Sequence, residues 1–506
     1  MNRRLVFAGV AGSALQVVLT AGVTFVSYRI LLGSVGEDRF GVWASVGAVA
    51  LAGGLAEFGM GAGALRYISL HLGRGETGEA ARVAETAVIS SAVLVGLAAL
   101  GLAPLLPSVL RFFWNPAADA FFGDALALLP WTLALLAANA AQAACLACLD
   151  GAQRVHVRNV LVIVGSLIGL GLVFAWVPTR GLVGYAQALI AQALVVGAVA
   201  WLLLRRALPG LSVVPVRWQW SAFRRIVGYG AAWQGISLVN LLTDPLAKLL
   251  IGRIGGLALA GHYEVATKLV LPLRGVVVSA QQALVPAIAR MSADAPEQAG
   301  RLYATALRVS VALVGLALPV LILGAPLAAV AWLGERDPAF ELLYAILTTA
   351  WLLNALSGPA YFDHVGHGRL GPVFVGHATT ALGVVTLGPL FGWIGGQTGG
   401  DAGGGLGVAV AAALALVLGS SVAPLVLHRG GTAGPVGARG DRRVLAVMAL
   451  ALAAAAIVTV GGWVSLPLRV TVAALTVAAS GAALATHPDV AGLRRRLVRM
   501  ASLPST

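Results

Sequence analysis

The feature that most constrains this chain is a succession of apolar runs, each long enough to cross a membrane. A spanning helix needs about 20 predominantly apolar residues, and about fourteen runs meet that length. They lie near 5–32, 40–65, 83–107, 125–149, 159–178, 182–204, 226–252, 257–285, 303–333, 341–363, 371–395, 405–427, 444–464 and 468–486. A chain of 506 residues has the length for several soluble domains, yet these runs leave room for none. Charged residues make up 11% of it, against about 25% in soluble proteins. The expected fold class is all-α: a polytopic membrane protein of about 14 transmembrane helices.

The N-terminus, Met1-Asn2-Arg3-Arg4, resembles the start of a signal peptide. The apolar stretch then continues to Leu32, too long for a cleaved hydrophobic region, and reads as the first span. A net charge of +14 raises the question of nucleic acid. The placement of the cations answers it. Of the 34 Lys and Arg residues, 23 fall on the even-numbered loops and the two termini, 6 on the odd loops and 5 inside spans. Cytoplasmic loops hold the excess of Lys and Arg, so both termini are expected in the cytoplasm and no nucleic-acid partner is needed. Cys145 and Cys148, inside one apolar run, read as small packing residues.

A weak internal repeat divides the chain. Residues 28–33 (YRILLG) match 247–252 (AKLLIG) at an offset of 219, placing Lys248 on Arg29 and Gly252 on Gly33. Arg301 falls on Arg82 and Gly315 on Gly96 at the same offset; Asn354 falls on Asn139 and Arg369 on Arg154 at 215. Repeats of this kind make pseudo-symmetric halves in transporters. The expected plan is a six-helix lobe over 1–204, a basic cytoplasmic linker at 205–225 and a second six-helix lobe over 226–428. A linker at 429–443, two extra helices within 444–487 and a basic tail at 488–506 complete it.

Several motifs are absent or weak. No G-x-x-x-x-G-K-[ST] occurs, and Gly395–Gly407, without a following Lys-Ser/Thr, reads as a flexible turn. His364 and His367 alone do not make a zinc site. No cofactor is expected. Gly59–Gly63 suits close helix packing rather than a dinucleotide. The linker carries Trp218 and Trp220 among arginines (VRWQWSAFRR), which suits either anionic lipid headgroups or plain interfacial anchoring.

Ionisable groups inside hydrocarbon are costly and mark candidate sites. Asp244 and Lys248 are spaced i, i+4, as are Glu264 and Lys268, so each pair shares a helix face. Each pair either neutralises itself or lines a polar cavity. Arg29 and Lys248 lie four residues before the glycine ending their spans, within snorkelling reach of the interface. Glu57 and Arg274 each sit 17 residues into a run, roughly 25 Å along a continuous helix, and suit pairing with each other. Pro245 and Pro272 flank these charges, and Pro319, Pro326, Pro359 and Pro389 mark other spans. Interrupted helices point toward a transport site.

Three stretches carry a family resemblance: LLGSVGEDRFGVWA (31–44), LAEFGMGAGALRY (55–67) and GRGETGEAAR (73–82), with DGAQR (150–154) adding support. They resemble the O-unit and polysaccharide exporters of the multidrug/oligosaccharidyl-lipid/polysaccharide exporter superfamily. Glu57 stands where Asp is frequent in that family. The resemblance covers about residues 5–430, and the last two helices fit its fourteen-span members. It implies a flippase, not an enzyme, moving an undecaprenyl-pyrophosphate-linked oligosaccharide across a bacterial inner membrane by alternating access. The partners it implies are that lipid-linked substrate, membrane lipids, and glycan polymerases or glycosyltransferases. Arg29, Glu57, Asp244, Lys248, Glu264, Lys268 and Arg274 are the candidate cavity charges, with a net of +1, which favours an anionic substrate over the cations of a drug antiporter. A lipid II flippase shares the fold. An embedded glycosyltransferase would show a large acidic outer loop, and the longest one here, Pro107–Asp124, is short.

The topology makes a direct prediction. Reporter fusions after Gly36, Gly181 and Gly399 will read as external, and those after Gly210 and Gly437 as cytoplasmic. One clear inversion breaks the assignment.

Overall fold

A computed structural model describes residues 3–50, 54, 56–114, 116–282, 296–367 and 369–429. These form fourteen helices and no strand. The first seven are α1 (Arg3–Val35), α2 (Glu37–Ala50), α3 (Met60–Gly73), α4 (Thr77–Leu102), α5 (Leu106–Phe113), α6 (Phe122–Gly151) and α7 (Val155–Ala207). The others are α8 (Trp220–Gly255), α9 (Leu257–Gln282), α10 (Pro296–Leu323), α11 (Ala325–Leu333), α12 (Pro338–Leu356), α13 (Gly358–Gly366) and α14 (Leu370–Arg429). The expected linker after Arg429, the spans near 444–464 and 468–486, and the basic tail lie outside the described residues.

Each of the first twelve expected passes falls on helix. Among the described residues, seven helices are long and apolar enough to cross a membrane by length and composition. Two of these, α7 and α14, hold two passes each. In α7 the fold-back occurs at Gly181 (φ 54°, ψ −131°), a conformation open to glycine and strained for other residues. Gly165 then faces Val196, and Gly169 faces Gln192, as an antiparallel hairpin requires. In α14 the turn is Gly399–Gly400.

The chain packs as two compact units. One contains Met1–Pro272 and Val384–Val408; the other begins at Leu273, runs to Gly383 and resumes at Ala409. The core of the first gathers Met60, Ile68, Leu149, Trp201, Leu204 and Ile226, with Cys145 and Cys148 packed as apolar residues. The second is built on Val314, Leu318, Leu323, Leu352 and Ala355. Contacts therefore group α8 and the start of α9 with the first half of the chain. The six-plus-six division read from the repeat concerns sequence symmetry and stays a proposal.

Three sequence expectations change. The second pass is not a continuous helix: between α2 (Glu37–Ala50) and α3 (Met60–Gly73), Phe58 (φ 47°) and Gly59 (φ 65°) are left-handed. A Cβ at Gly59 would lie 2.7 Å from the Gly230 Cα, so the close approach of α8 requires bare backbone here. A depth for Glu57 counted along one helix therefore does not hold. Secondly, Gly395–Gly407 is helix on both sides of a two-residue turn. A Cβ on Gly395 or Gly403 would strike the opposing carbonyl, and one on Gly405 would crowd Gly255. Small residues allow that approach. Thirdly, proline marks only some of the breaks. Pro245, Pro272 and Pro319 sit inside helices, while Pro326 and Pro359 open α11 and α13.

The described arginines on odd loops are tied down locally; Arg469 lies outside the described residues. Arg39 bonds Asp124 at 2.8 Å, Arg180 bonds Gln187 at 3.0 Å, and Arg336 bonds Glu341 through two nitrogens at 2.8 and 2.9 Å. Arg111 lies 4.4 Å over the Phe122 ring. Arg253 donates to the Phe112 carbonyl and covers its ring. These cations serve packing between loops.

Candidate transport site

The charge pairs at i, i+4 form as expected, and the α8–α9 hairpin then joins them. The two helices meet at Gly256, whose φ of 88° makes the reversal. Lys248 and Glu264 lie equally far from that glycine, eight residues before and after it, so the hairpin sets them face to face. Lys248 Nζ binds Glu264 Oε2 directly, and both residues are buried, 4% and 7% exposed. Lys248 also lies 3.9 Å from Asp244, and Lys268 lies 3.5 Å from the other oxygen of Glu264.

Two tyrosines complete the cluster. The Tyr28 hydroxyl of α1 donates to Glu264 Oε1 at 2.8 Å, and Tyr263 donates to Asp244 at 3.0 Å. Edge-on rings hold Tyr28: Phe40 at 5.2 Å and Tyr185 at 6.0 Å, the latter against Trp43 at 4.8 Å. Glu264 thus takes two cations and a hydroxyl. Two lysines balance two carboxylates, so the cluster is self-neutral. Lys248 and Glu264 are enclosed, while the Asp244 and Lys268 side chains are 31% and 43% exposed. Arg29 is half-buried, next in sequence to Tyr28.

In the same unit α2 packs against the α8–α9 turn. Gly41 of α2 packs on the Leu257 backbone, and Gly261 of α9 packs on Phe40. Glu37 Oε2 lies 3.2 Å from His262 Nε2. Glu37 lies outside the expected spans, and the His262 ring beside it holds its carboxyl below the ordinary range.

Glu57 lies half-buried in the break of the second pass. Its Oε1 lies beside Gly61, in the first turn of α3, where a Cβ would come within 3.6 Å of it. A negative charge at a helix N-terminus meets the partial positive charge there.

Arg274 belongs to the second unit. Its Nε donates to Asn354 Oδ1 at 2.8 Å, and Asn354 in turn donates to Ser420 at 2.6 Å. The guanidinium carbon lies 5.2 Å over the Trp351 ring. Among the described residues of this unit, no carboxylate pairs with it. Its position is fixed while its terminal nitrogens keep donor capacity. His364 and His367 are used locally, on the carbonyls of Ala423 at 3.0 Å and Asp363 at 2.9 Å.

The structure thus joins Asp244, Lys248, Glu264 and Lys268 in one network, with Glu57 in a separate helix break and Arg274 anchored in the second unit. Sequence reasoning does not single out Tyr28, Tyr263 or Glu85. Mirror spacing about Gly256 is the sequence signal for the Lys248–Glu264 bond, and a lone acid early in an apolar run is the signal for Glu85. Nothing in the sequence announces Tyr28.

A family profile described as polysaccharide biosynthesis protein matches residues 74–335, just over half of the chain. The chain belongs to that family. No curated protein matches it in sequence. Solved structures match its fold. The lipid II flippase MurJ in an inward closed conformation aligns at a TM-score of 0.67 and 10% identity, over 95% of this chain and 99% of that one. A multidrug resistance transporter of the MATE family and MOP superfamily, inward-facing, aligns at 0.65 and 15%, over 82% and 96%. A MOP-superfamily transporter from Pyrococcus furiosus aligns at 0.56 and 15%, over 83% and 95%. This member of the polysaccharide biosynthesis family is a multi-pass membrane protein with the fold of MOP-superfamily transporters.

The cluster predicts strong coupling. Removing one partner of a buried ion pair leaves an uncompensated charge and costs about 3–5 kcal/mol. Lys248→Met and Glu264→Gln will each lower unfolding stability by roughly that amount, and the double variant will recover most of it. Purely additive losses in a double-mutant cycle would show that the two side chains do not act together.

Proposed function

We propose that this protein is a flippase for an undecaprenyl-pyrophosphate-linked oligosaccharide in a bacterial cytoplasmic membrane. Both termini face the cytoplasm, and alternating access carries the sugar to the outer leaflet for cell-surface polysaccharide assembly. Membership of a polysaccharide biosynthesis family and a fold shared with a lipid II flippase support the reading. Arg274 is the observation that carries it.

A pyrophosphate must cross a low-dielectric slab, and moving it bare is prohibitive, so the path must supply cations. The self-neutral cluster has little net charge to offer. Of its members, Lys268 reaches accessible space and Lys248 is enclosed by carboxylates. Arg274 is different, because Asn354 and Trp351 orient it without neutralising it. A guanidinium presents a planar fork that takes two phosphate oxygens at once. Arg29 is another cation outside the cluster and serves as a further station. Glu57 then tunes the charge of the route, and the resulting positive balance disfavours a cationic drug.

The test is polysaccharide export in a strain lacking its own flippase. Wild-type protein will restore export, and Arg274→Ala will abolish it at matched membrane expression. Arg274→Lys will keep part of the activity, since the charge remains and the fork is lost. Failure of the wild-type protein to restore export would overturn the substrate reading. Wild-type export by Arg274→Ala would remove this residue from the mechanism.

A further inference from the structure

The segment between α7 and α8 does more than connect two helices. Glu85, 1% exposed within α4, gathers it. One carboxylate oxygen accepts the Ser212 N–H at 2.9 Å; the other accepts the Arg217 N–H at 2.8 Å and the Val216 N–H at 3.4 Å. Further bonds fix the same segment. Trp201 donates to the carbonyls of Ser212 and Val213 at 3.2 and 3.1 Å, Trp218 donates to Ser90 at 3.0 Å, and the Gln219 N–H reaches Thr86 at 3.2 Å. A carboxylate accepting several backbone N–H groups makes strong, charge-assisted bonds. The segment is therefore stapled to α4.

The staple faces an unusual set of side chains outward. Val213, Val214, Val216 and Trp220 are all more than 60% exposed. Trp218, Trp220 and Phe223 cluster with ring centroids 5.4–5.9 Å apart. Arg206, Arg217, Arg224 and Arg225 stand among them, all exposed. Among the described residues Arg206 and Arg224 have no ion-pair partner, and Arg225 reaches only Glu79, at 3.9 Å, which Arg82 shares at 3.4 Å. Amphipathic aromatic rings settle at the headgroup level, and cations there attract anionic headgroups.

We propose that this stapled, arginine-rimmed aromatic platform docks on anionic phospholipid headgroups at the membrane face where α7 ends and α8 begins. Charge complementarity selects the lipid, and the valine and tryptophan side chains enter the interface. Glu85 acts as a positioning residue, because it holds the segment that bears Arg217 and leads into α8 before lipid arrives.

The test uses the full chain in nanodiscs of equal phosphatidylglycerol and phosphatidylcholine, followed by mild detergent extraction and mass spectrometry of retained lipid. Wild-type protein will retain phosphatidylglycerol preferentially. An arginine near a charged surface contributes about fivefold in partitioning, so R206Q/R217Q/R224Q will lower phosphatidylglycerol retention on the order of tenfold or more and leave phosphatidylcholine unchanged. R206K/R217K/R224K will keep most of it, which separates lost charge from misfolding. R111Q/R180Q/R336Q, with the same charge change on other loops, will behave as wild type. Glu85→Gln will weaken the preference with every arginine present and with unchanged helix content by circular dichroism. Equal losses in both glutamine triples, or none in R206Q/R217Q/R224Q, would overturn the platform and leave general charge or a protein partner at this surface. An unchanged preference in Glu85→Gln would overturn the staple's role.

Discussion

A buried charge has to be answered, and in this protein that requirement sets the geometry. Glu264 sits where water does not reach, so its carboxylate needs partners on every side. Lys248 comes from the neighbouring helix, Lys268 from its own, and a hydroxyl from α1. Those partners fix the α8–α9 hairpin against α1 and place Tyr28 among Phe40 and Tyr185. The bare backbones of Gly41 and Gly261 permit the same approach from α2. The charge cluster and the glycine contacts are two halves of one constraint, since neither could form if side chains kept the helices apart.

Much of this is legible in the sequence because it is local. The first twelve passes follow from run length, and Asp244–Lys248 and Glu264–Lys268 follow from helical spacing. What escapes is contact between helices. Lys248 and Glu264 meet only because a hairpin reverses at Gly256, and Tyr28 reaches Glu264 across 236 positions of sequence. The second pass misleads for a related reason. Its composition is that of an unbroken span, and the break at Phe58–Gly59 reflects the close approach of Gly230 from a distant helix. The stretch Gly395–Gly407 misleads in the opposite sense. Glycine frequency suggests a loose turn, whereas tight pairing with Gly255 and across the α14 hairpin makes bare backbone a packing surface.

Glu85 shows how one residue type takes different roles by position. Glu264 is neutralised by lysines, Glu57 lies beside the first turn of a helix, and Glu85 is satisfied by backbone N–H groups of the segment between α7 and α8. A count of charges inside spans treats the three alike. Only the partners distinguish a carboxylate that clamps helices from one that shapes a surface loop.

The same reasoning separates the cations. Lysine suits the cluster, because a compact ammonium on a flexible stem can reach carboxylates above and below it. Arginine suits the open position, because its orientation can be set through Nε while the terminal nitrogens stay available. Arg274 is held that way, with Asn354 at Nε, Trp351 beneath the plane and Ser420 behind the asparagine. A cation satisfied by a carboxylate would have to break an ion pair before binding an anion. A cation held by an amide and an aromatic face keeps its charge ready. That difference, rather than depth along a helix, is the reason we propose Arg274 as the residue that receives a phosphate.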